Sequence, residues 1–187
     1  MSLVSASKPG VSGGIFMGPT SATLPTNATS TIASAFKSLG YVSDAGVTRS
    51  ISTDNSVIKA WGGAVVAVIS NGKTETFKFK LIDIDNLDSL GLAFGTATGA
   101  ISTGITVKST NAQPDPHAFV IETILAENNL QRIVIPKGVL TDIGDIVYVD
   151  NDVVGFEVTI TAIADSTDVT AYTYIHAPTG ATGGTGA

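Results

Sequence analysis

The chain has 187 residues and no cysteine, and its ten Lys and Arg against sixteen Asp and Glu give a formal net charge of −6. The lack of cysteine excludes disulfides, thiolate nucleophiles and cysteine-ligated zinc, and the negative charge argues against tight binding of nucleic acid. Hydrophobic residues make up 43% of the chain and charged residues only 14%, a balance that permits one core and favours large interfaces over a free monomer.

Residues 1–29 are rich in Ser, Thr, Gly and Pro, and they contain one apolar island, Ile15, Phe16 and Met17. This composition is typical of an arm that is disordered in a free monomer, and the island is suited to contact a neighbouring subunit. Neither a signal peptide nor a membrane span is indicated. We expect an arm over 1–29, an ordered β body over 30–177 and a flexible Gly- and Thr-rich tail over 178–187.

Two short helices are predicted in the body. The first begins at a Ser30 cap and ends at Gly40, and its apolar residues share one helical face: Ile32, Ala35, Phe36 and Leu39. The second begins at an Asn86 cap and ends at Gly95. Its apolar residues also share one face, which suits it to cover a sheet: Leu87, Leu90 and Phe94.

Two hairpins are predicted between these helices. In the first, residues 48–63, two β-prone pieces flank a polar apex made of Ser52, Thr53, Asp54, Asn55 and Ser56. In the second, residues 64–81, Asn71-Gly72 suits a type I′ turn, so that paired residue numbers sum to 143. This register gives one apolar face with Phe77 and Phe79, and a second, partly wet face with Val65, Ala67, Thr76 and Lys78.

Trp61 lies near the end of the first predicted hairpin, directly before Gly62 and Gly63. A large aromatic residue beside two glycines is consistent either with a packed corner or with an interface anchor. Strand-like segments follow the second helix at 101–109, 118–126 and 130–135, and three more strands follow in the last third of the chain. The elements together indicate a mainly β body with one or two helices.

No group of residues carries a catalytic or metal-binding signature. Residues 10–14 match the G-x-S-x-G pattern of serine hydrolases but lack the strand and helix that this motif requires on either side. His117 and His176 have no second ligand at metal spacing. Helix capping and turn chemistry explain the acidic residues of 83–88 and 142–152 without calcium. We expect no enzyme activity, no cofactor and no metal.

Three segments, in their order and spacing, resemble the major tail proteins of long-tailed bacteriophages, the subunits of the tail tube. They read AFKSLGYVSDAGVTRSISTDNSVIKAWGG, TETFKFKLID and RIVIPKGVLTDIGDIVYVDNDVVGFEVTITA. The resemblance covers about residues 30–176. It implies a phage tail-tube fold, in which two packed antiparallel β-sheets form a sandwich or half-barrel with one or two short flanking helices and flexible terminal arms. It also implies hexameric rings that stack into a hollow tube for DNA ejection.

The resemblance further implies roles for particular residues. The ring-stacking loop would be the apex formed by Ser52, Thr53, Asp54, Asn55 and Ser56, and the arm contact would be Ile15, Phe16 and Met17. The wall of the lumen would be formed by Val65, Ala67, Thr76 and Lys78.

The partners implied are further copies of the chain, together with tape-measure, tail-tip and terminator proteins. DNA would pass through the tube without specific binding, and no membrane is involved. The protein would be made in the host cytoplasm and would reside in the virion tail. The Thr-rich faces leave an alternative open, a non-enzymatic β-sandwich binding or decoration module on the virion surface.

Overall fold

Antiparallel strands dominate the part of the chain that the computed structural model describes, which comprises residues 8–9, 14–150 and 153–177. The predicted fold class, mainly β with antiparallel sheets and a flanking helix, is confirmed. The strands are β1 Lys8–Pro9, β2 Ile15–Pro19, β3 Lys37–Ser38, β4 Val42–Lys59, β5 Val65–Leu81, β6 Gly95–Ala100, β7 Gly104–Ser109, β8 His117–Ile124, β9 Leu130–Ile143, β10 Phe156–Ala162 and β11 Tyr172–His176. The helix α1 spans Leu87–Phe94, and a 3₁₀ turn spans Ala126–Asn128.

Hydrogen bonds join the strands into one large sheet in the order β3-β2-β8-β9-β10-β5-β4, with β1 added on β8 and β11 on β9. Strands β6 and β7 form a separate hairpin. Phe119 and Ile121 of β8 belong to the same apolar cluster as Phe77 and Phe79 of β5. Because strands from both halves of the sheet contribute to one core, the sheet folds over that core in the manner of a sandwich.

A second, smaller apolar cluster lies on the opposite face of β8 and β9, where Ala118, Val120 and Val134 pack against Phe36. The irregular segment 20–36 covers this face, and Arg132 holds this segment in place by hydrogen bonds. The Arg132 side chain is almost fully buried; its Nη1 donates to the carbonyl oxygens of Asn27 at 2.7 Å and Ser30 at 2.8 Å. The guanidinium also forms an ion pair with Glu122.

The helix predicted between Ser30 and Gly40 is wrong: this segment contains a turn at residues 34–35 and the short strand β3, which pairs with β2. Phe36 packs into the second cluster, whereas Leu39 packs into the main core. Two residues that helical spacing would place on one face therefore serve two separate cores.

The helix predicted from Asn86 to Gly95 is confirmed as α1. The Asn86 side-chain oxygen accepts from the backbone N–H groups of Asp88 at 3.0 Å and Ser89 at 3.1 Å, and Gly95 follows the last turn with φ of 111°. Leu90 is buried in the main core. The sequence was sufficient to predict this helix, because the capping residue and the terminating glycine act on the ends of the helix itself.

The predicted turn at Asn71-Gly72, together with its register, is wrong. Residues 42–81 form one long hairpin, and Asn71-Gly72 lies within β5. Asp54 pairs with Gly72 and Asn55 pairs with Ser70, so Asn71 is the extra residue of a β-bulge. Its side-chain amide donates to the Ser56 hydroxyl at 2.7 Å, which holds the bulge in place.

The true turn is at residues 60–64, where Ala60 donates its N–H to the carbonyl of Ala64 at 2.8 Å. Gly62 and Gly63 have φ of 110° and 91°, values that glycine adopts at little steric cost. The predicted apex at Ser52–Ser56 is accordingly wrong as a loop, because these residues are paired within β4.

The expected boundary at residue 30 does not mark the start of the folded body. Ile15, Phe16 and Met17 lie in β2, which pairs with β8, and Ile15 is only 1% exposed in the main core. Strand pairing to the subunit's own sheet replaces the free apolar plug expected from composition. Most of the G-x-S-x-G segment, as well as the predicted tail 178–187, lies outside the described residues.

Candidate assembly surfaces

Strands β4 and β5 continue together well beyond the core. Strand β10 pairs with β5 only over residues 75–81, and every residue from 50 to 74 is exposed. At about 3.3 Å per residue, the stretch 50–60 projects about 35 Å from the body. Neither face of this projection is covered by the described chain, so its exposed surface is available to other molecules.

The projection has two chemically different parts. The stem, residues 50–56 and 70–74, consists of Ser, Thr, Asn, Asp, Lys and Gly apart from Ile51. The head, residues 57–69, exposes a dense set of large apolar side chains: Val57, Ile58, Trp61, Val65, Val66, Val68 and Ile69. The polar side chains of the stem are readily hydrated, whereas an exposed apolar surface such as that of the head indicates an interaction site.

Both faces of the head are apolar. Val57 pairs with Val68, and the next pair along, Ile58 with Ala67, lies on the opposite face because successive residues of a strand alternate. A single flat contact would therefore leave one apolar face in water. The head requires a cleft, or two surfaces at once, for its burial.

A second surface, here called the polar face, covers the side of β5 and β10 that points away from the main core. Thr76 pairs with Thr161, and Lys78 pairs with Thr159. Lys78 Nζ lies 2.7 Å from Glu157 Oε1, and this hydrogen bond and the negative charge of Glu157 raise the pKa of Lys78. The surface is rich in hydroxyl groups, and Glu157 lies beside its two lysines, as the ion-pair partner of Lys78 and the cross-strand partner of Lys80. The carboxylate offsets part of their positive potential, which weakens the attraction for a phosphate backbone.

The residues predicted for the lumen wall are not brought together. Thr76 and Lys78 lie on the polar face, whereas Val65 and Ala67 lie in the head of the same strand. Thr76 comes nine positions after Ala67, which corresponds to about 30 Å along a strand. The predicted stacking residues, Ser52 to Ser56, lie in the stem.

A buried polar cluster fixes the root of the projection to the body. Glu75 is 1% exposed, forms an ion pair with Arg49, and accepts a hydrogen bond from the Thr170 hydroxyl. Arg49 also donates to Thr173 Oγ1 at 3.2 Å, and its guanidinium lies 5.5 Å from the centroid of the Phe77 ring. The cluster ties β4 and β5 to the segment around β11.

The sequence analysis missed this cluster, although a signal was present. Glu75 is in phase with Phe77, Phe79 and Leu81, the residues of β5 that face the core. A carboxylate in the inward phase of a strand predicts a buried partner, because an unpaired buried charge is too costly to retain.

Within residues 8–9, 14–150 and 153–177, no group of three or more His, Cys, Asp and Glu is placed to hold a metal ion. His117 Nδ1 instead lies 2.9 Å from the backbone carbonyl oxygen of Asp115. In the same described parts of the chain, no helix is long and apolar enough to cross a membrane.

Open strand edges and an apolar hairpin that no described residue covers are surfaces suited to contact with other chains. A family model described as phage tail tube protein matches residues 6–184, nearly the whole chain. The chain therefore belongs to the phage tail tube proteins, which confirms the resemblance found in the sequence. No curated protein matches the chain. As a tail tube protein it is a structural component of the virion tail, where it assembles with other tail proteins.

Proposed function

We propose that the protein forms hexameric rings that stack into the tail tube, and that DNA passes through the lumen of this tube during ejection. The observation that carries the proposal is the head, which is apolar on both faces and lies beyond the reach of its own core. Contact between copies is the simplest way to bury such a surface, and a contact between different patches repeats indefinitely where its rotation does not close, as stacking requires.

Lateral closure is supported by the edges of the sheet. Strand β4 lies at one end of the strand order and, among the described residues, pairs with β5 alone, so its outer edge presents backbone groups that no other described strand pairs. At the other end lies β3, a strand of two residues. Edge-to-edge pairing of copies would satisfy these groups and convert open sheets into a closed barrel.

The polar face is the surface that we assign to the lumen, through Thr76 and Lys78. Hydroxyl groups and the Lys78–Glu157 pair keep this face hydrated, and a net charge of −6 per copy repels phosphate groups. DNA would slide past such a wall without being held. This role requires no catalysis and no cofactor, and we assign neither.

We still assign the stem residues Ser52 to Ser56 to the contact between stacked rings, because the stem extends from one ring and places the head in the next. Ile15, Phe16 and Met17 are no longer part of the proposal, since β2 uses them in the subunit's own sheet. Val65 and Ala67 move from the lumen to the contact between rings, since they lie in the head. The family resemblance adds tape-measure, tail-tip and terminator proteins as proposed partners.

Negative-stain electron microscopy of the purified protein tests this proposal. At high concentration, or on tail initiator complexes, we expect rings or tubes. A protein that stays monomeric in every condition, including with initiators, contradicts the proposal. A stable monomer or trimer that binds glycans on an array would instead support the alternative, a surface binding or decoration module.

A further inference from the structure

A groove of about 450 Å³ lies at the root of the projecting hairpin, between the start of β4 and strands β8 and β9. Its lining includes the apolar side chains of Ile15, Val42, Val47, Ile121 and Ile133. This volume falls in the range of pockets that accept small-molecule ligands. The groove is therefore large enough for one aromatic side chain, but not for a whole hairpin.

One polar atom in this lining lacks a partner. The Ser43 hydroxyl is buried, and within the described residues it has no hydrogen-bond partner. A buried polar atom of this kind usually finds a partner in the native state, either in the protein or in a bound molecule. The groove thus combines an apolar floor with a buried, unpartnered serine hydroxyl in its wall.

The head carries a side chain that matches both features. Trp61 is fully exposed at the hairpin tip. Its ring needs an apolar environment, its indole N–H needs an acceptor when buried, and tryptophan is among the residues most often found as interface anchors. The hydroxyl of Ser43 is an acceptor of the required kind.

The head cannot fill the groove of its own copy. Lys59, at the start of the turn, comes twelve positions after Val47 in the groove lining. In a paired strand this separation is about 40 Å, and the ladder to β5 keeps the hairpin extended. Any Trp61 that enters the groove must come from another copy.

We propose that Trp61 of one copy inserts into the groove of the next copy, with its indole N–H directed at the Ser43 hydroxyl. The inference rests on the proposed stacking and names the contact that produces it. Each copy then offers one head and one groove at distant places, which gives an open-ended series.

The charges at the groove agree with one orientation of the head. Arg49 and Glu122 are engaged in ion pairs within the subunit, and Asp44 and Lys8 are the other charged residues among the described residues of the lining. Lys59, two residues before Trp61, is attracted to Asp44 and repelled by Lys8. Docking with Lys59 on the Asp44 side is therefore favoured.

The first test uses fluorescence, because Trp61 is the one tryptophan of the sequence and its emission reports on this side chain alone. Emission of Trp61 should shift to shorter wavelength on assembly, and quenching by acrylamide should fall several-fold. Trp61→Ala should raise the concentration needed for assembly at least tenfold, and Trp61→Phe should raise it less. Tyr148→Ala removes an exposed aromatic outside the head and should assemble as the wild type does. Normal assembly by Trp61→Ala would overturn the proposal.

The absence of cysteine permits a positional test. Ala60 adjoins Trp61, and Ala45 is an exposed residue of the groove lining. Assembled Ala60→Cys/Ala45→Cys protein, treated with a short bis-maleimide reagent, should give a ladder of linked copies on a denaturing gel. The control, Ala60→Cys/Ser166→Cys, should not. Tubes that form without the ladder overturn the groove assignment and leave the tube intact, whereas a wild type that never assembles contradicts the proposed function itself.

Discussion

At the scale of single residues, Glu75 illustrates how one polar group supports a surface far from it. Its carboxylate is buried beside the core, where Arg49 and Thr170 stabilise it. Burial of a charge is costly unless it is paired and hydrogen-bonded. The ion pair and the hydrogen bond compensate the buried charge, and they join the root of the hairpin to the segment that follows β10.

Replacement of this carboxylate should weaken the fold. We expect Glu75→Ala to lower the free energy of unfolding by about 2–4 kcal/mol, because Arg49 loses its partner and the Thr170 hydroxyl loses its acceptor. Urea denaturation followed by circular dichroism measures this. Glu127→Ala, at an exposed residue of the 3₁₀ turn, should change stability by less than about 0.5 kcal/mol. Equal stability of the two variants would contradict the role of the cluster.

Asp165 gives a pH-dependent prediction. A hydrogen bond from the Thr167 hydroxyl, aided by the backbone N–H groups of Thr167 and Val169, lowers the pKa of Asp165 to about 2. A lowered folded-state pKa adds stability above the ordinary value of about 4, and this stability is lost as the pH falls toward 2.

The stability difference between wild type and Asp165→Asn should therefore shrink as the pH falls from about 4 to about 2. Melting temperatures across this range measure the difference. Asp115→Asn, at an exposed residue outside the Asp165 turn, serves as the matched control. A difference that stays constant across the window would contradict the assignment.

At the scale of elements, the sequence predicted what local signals determine and failed where distant contacts decide. Helix α1 has its cap and its terminating glycine within the element. Asn71-Gly72 has the chemistry of a turn, but it forms a bulge because a turn at residues 60–64 lets two long strands pair along their whole length. The division of Phe36 and Leu39 between two cores is likewise invisible to helical periodicity.

The Asn86 cap can be tested by removal. Asn86→Ala loses the acceptor for two backbone N–H groups and the donor to the Ser38 carbonyl. We expect a loss of about 1–2 kcal/mol in unfolding free energy. Asn86→Asp keeps the capping oxygen and should recover part of the loss. Thermal or chemical denaturation of the three proteins gives the comparison, and a stable Asn86→Ala variant would show that the cap is dispensable.

The projecting hairpin can be shortened without disturbing the body. Thr53 and Lys73 are cross-strand partners, so residues 54–72 can be replaced by an Asn-Gly turn that fits a two-residue loop. The shortened protein should stay folded, since every removed residue is exposed, and it should not form tubes. A melting temperature near that of the wild type is the control for folding. Tubes from this variant would remove the hairpin from assembly.

At the scale of the whole molecule, the polar face and the head differ in chemistry and in the contacts that we propose for them. The polar face offers hydroxyl groups and paired charges, whereas the head offers apolar surface on both faces, and its tip lies about 35 Å beyond the body. The sequence resemblance predicted the family, and the family match confirmed it. The positions of the surfaces could not be predicted, because they depend on where a long hairpin turns and on which face of each strand the core takes.

A cryo-electron microscopy reconstruction of the assembled protein tests the central claim most directly. The account predicts six-fold rings in which Thr76, Lys78 and Thr159 face the lumen, and in which the head of each copy is buried in the adjacent ring. A tube with these residues on its outer surface, or with the head exposed to solvent, would contradict the account.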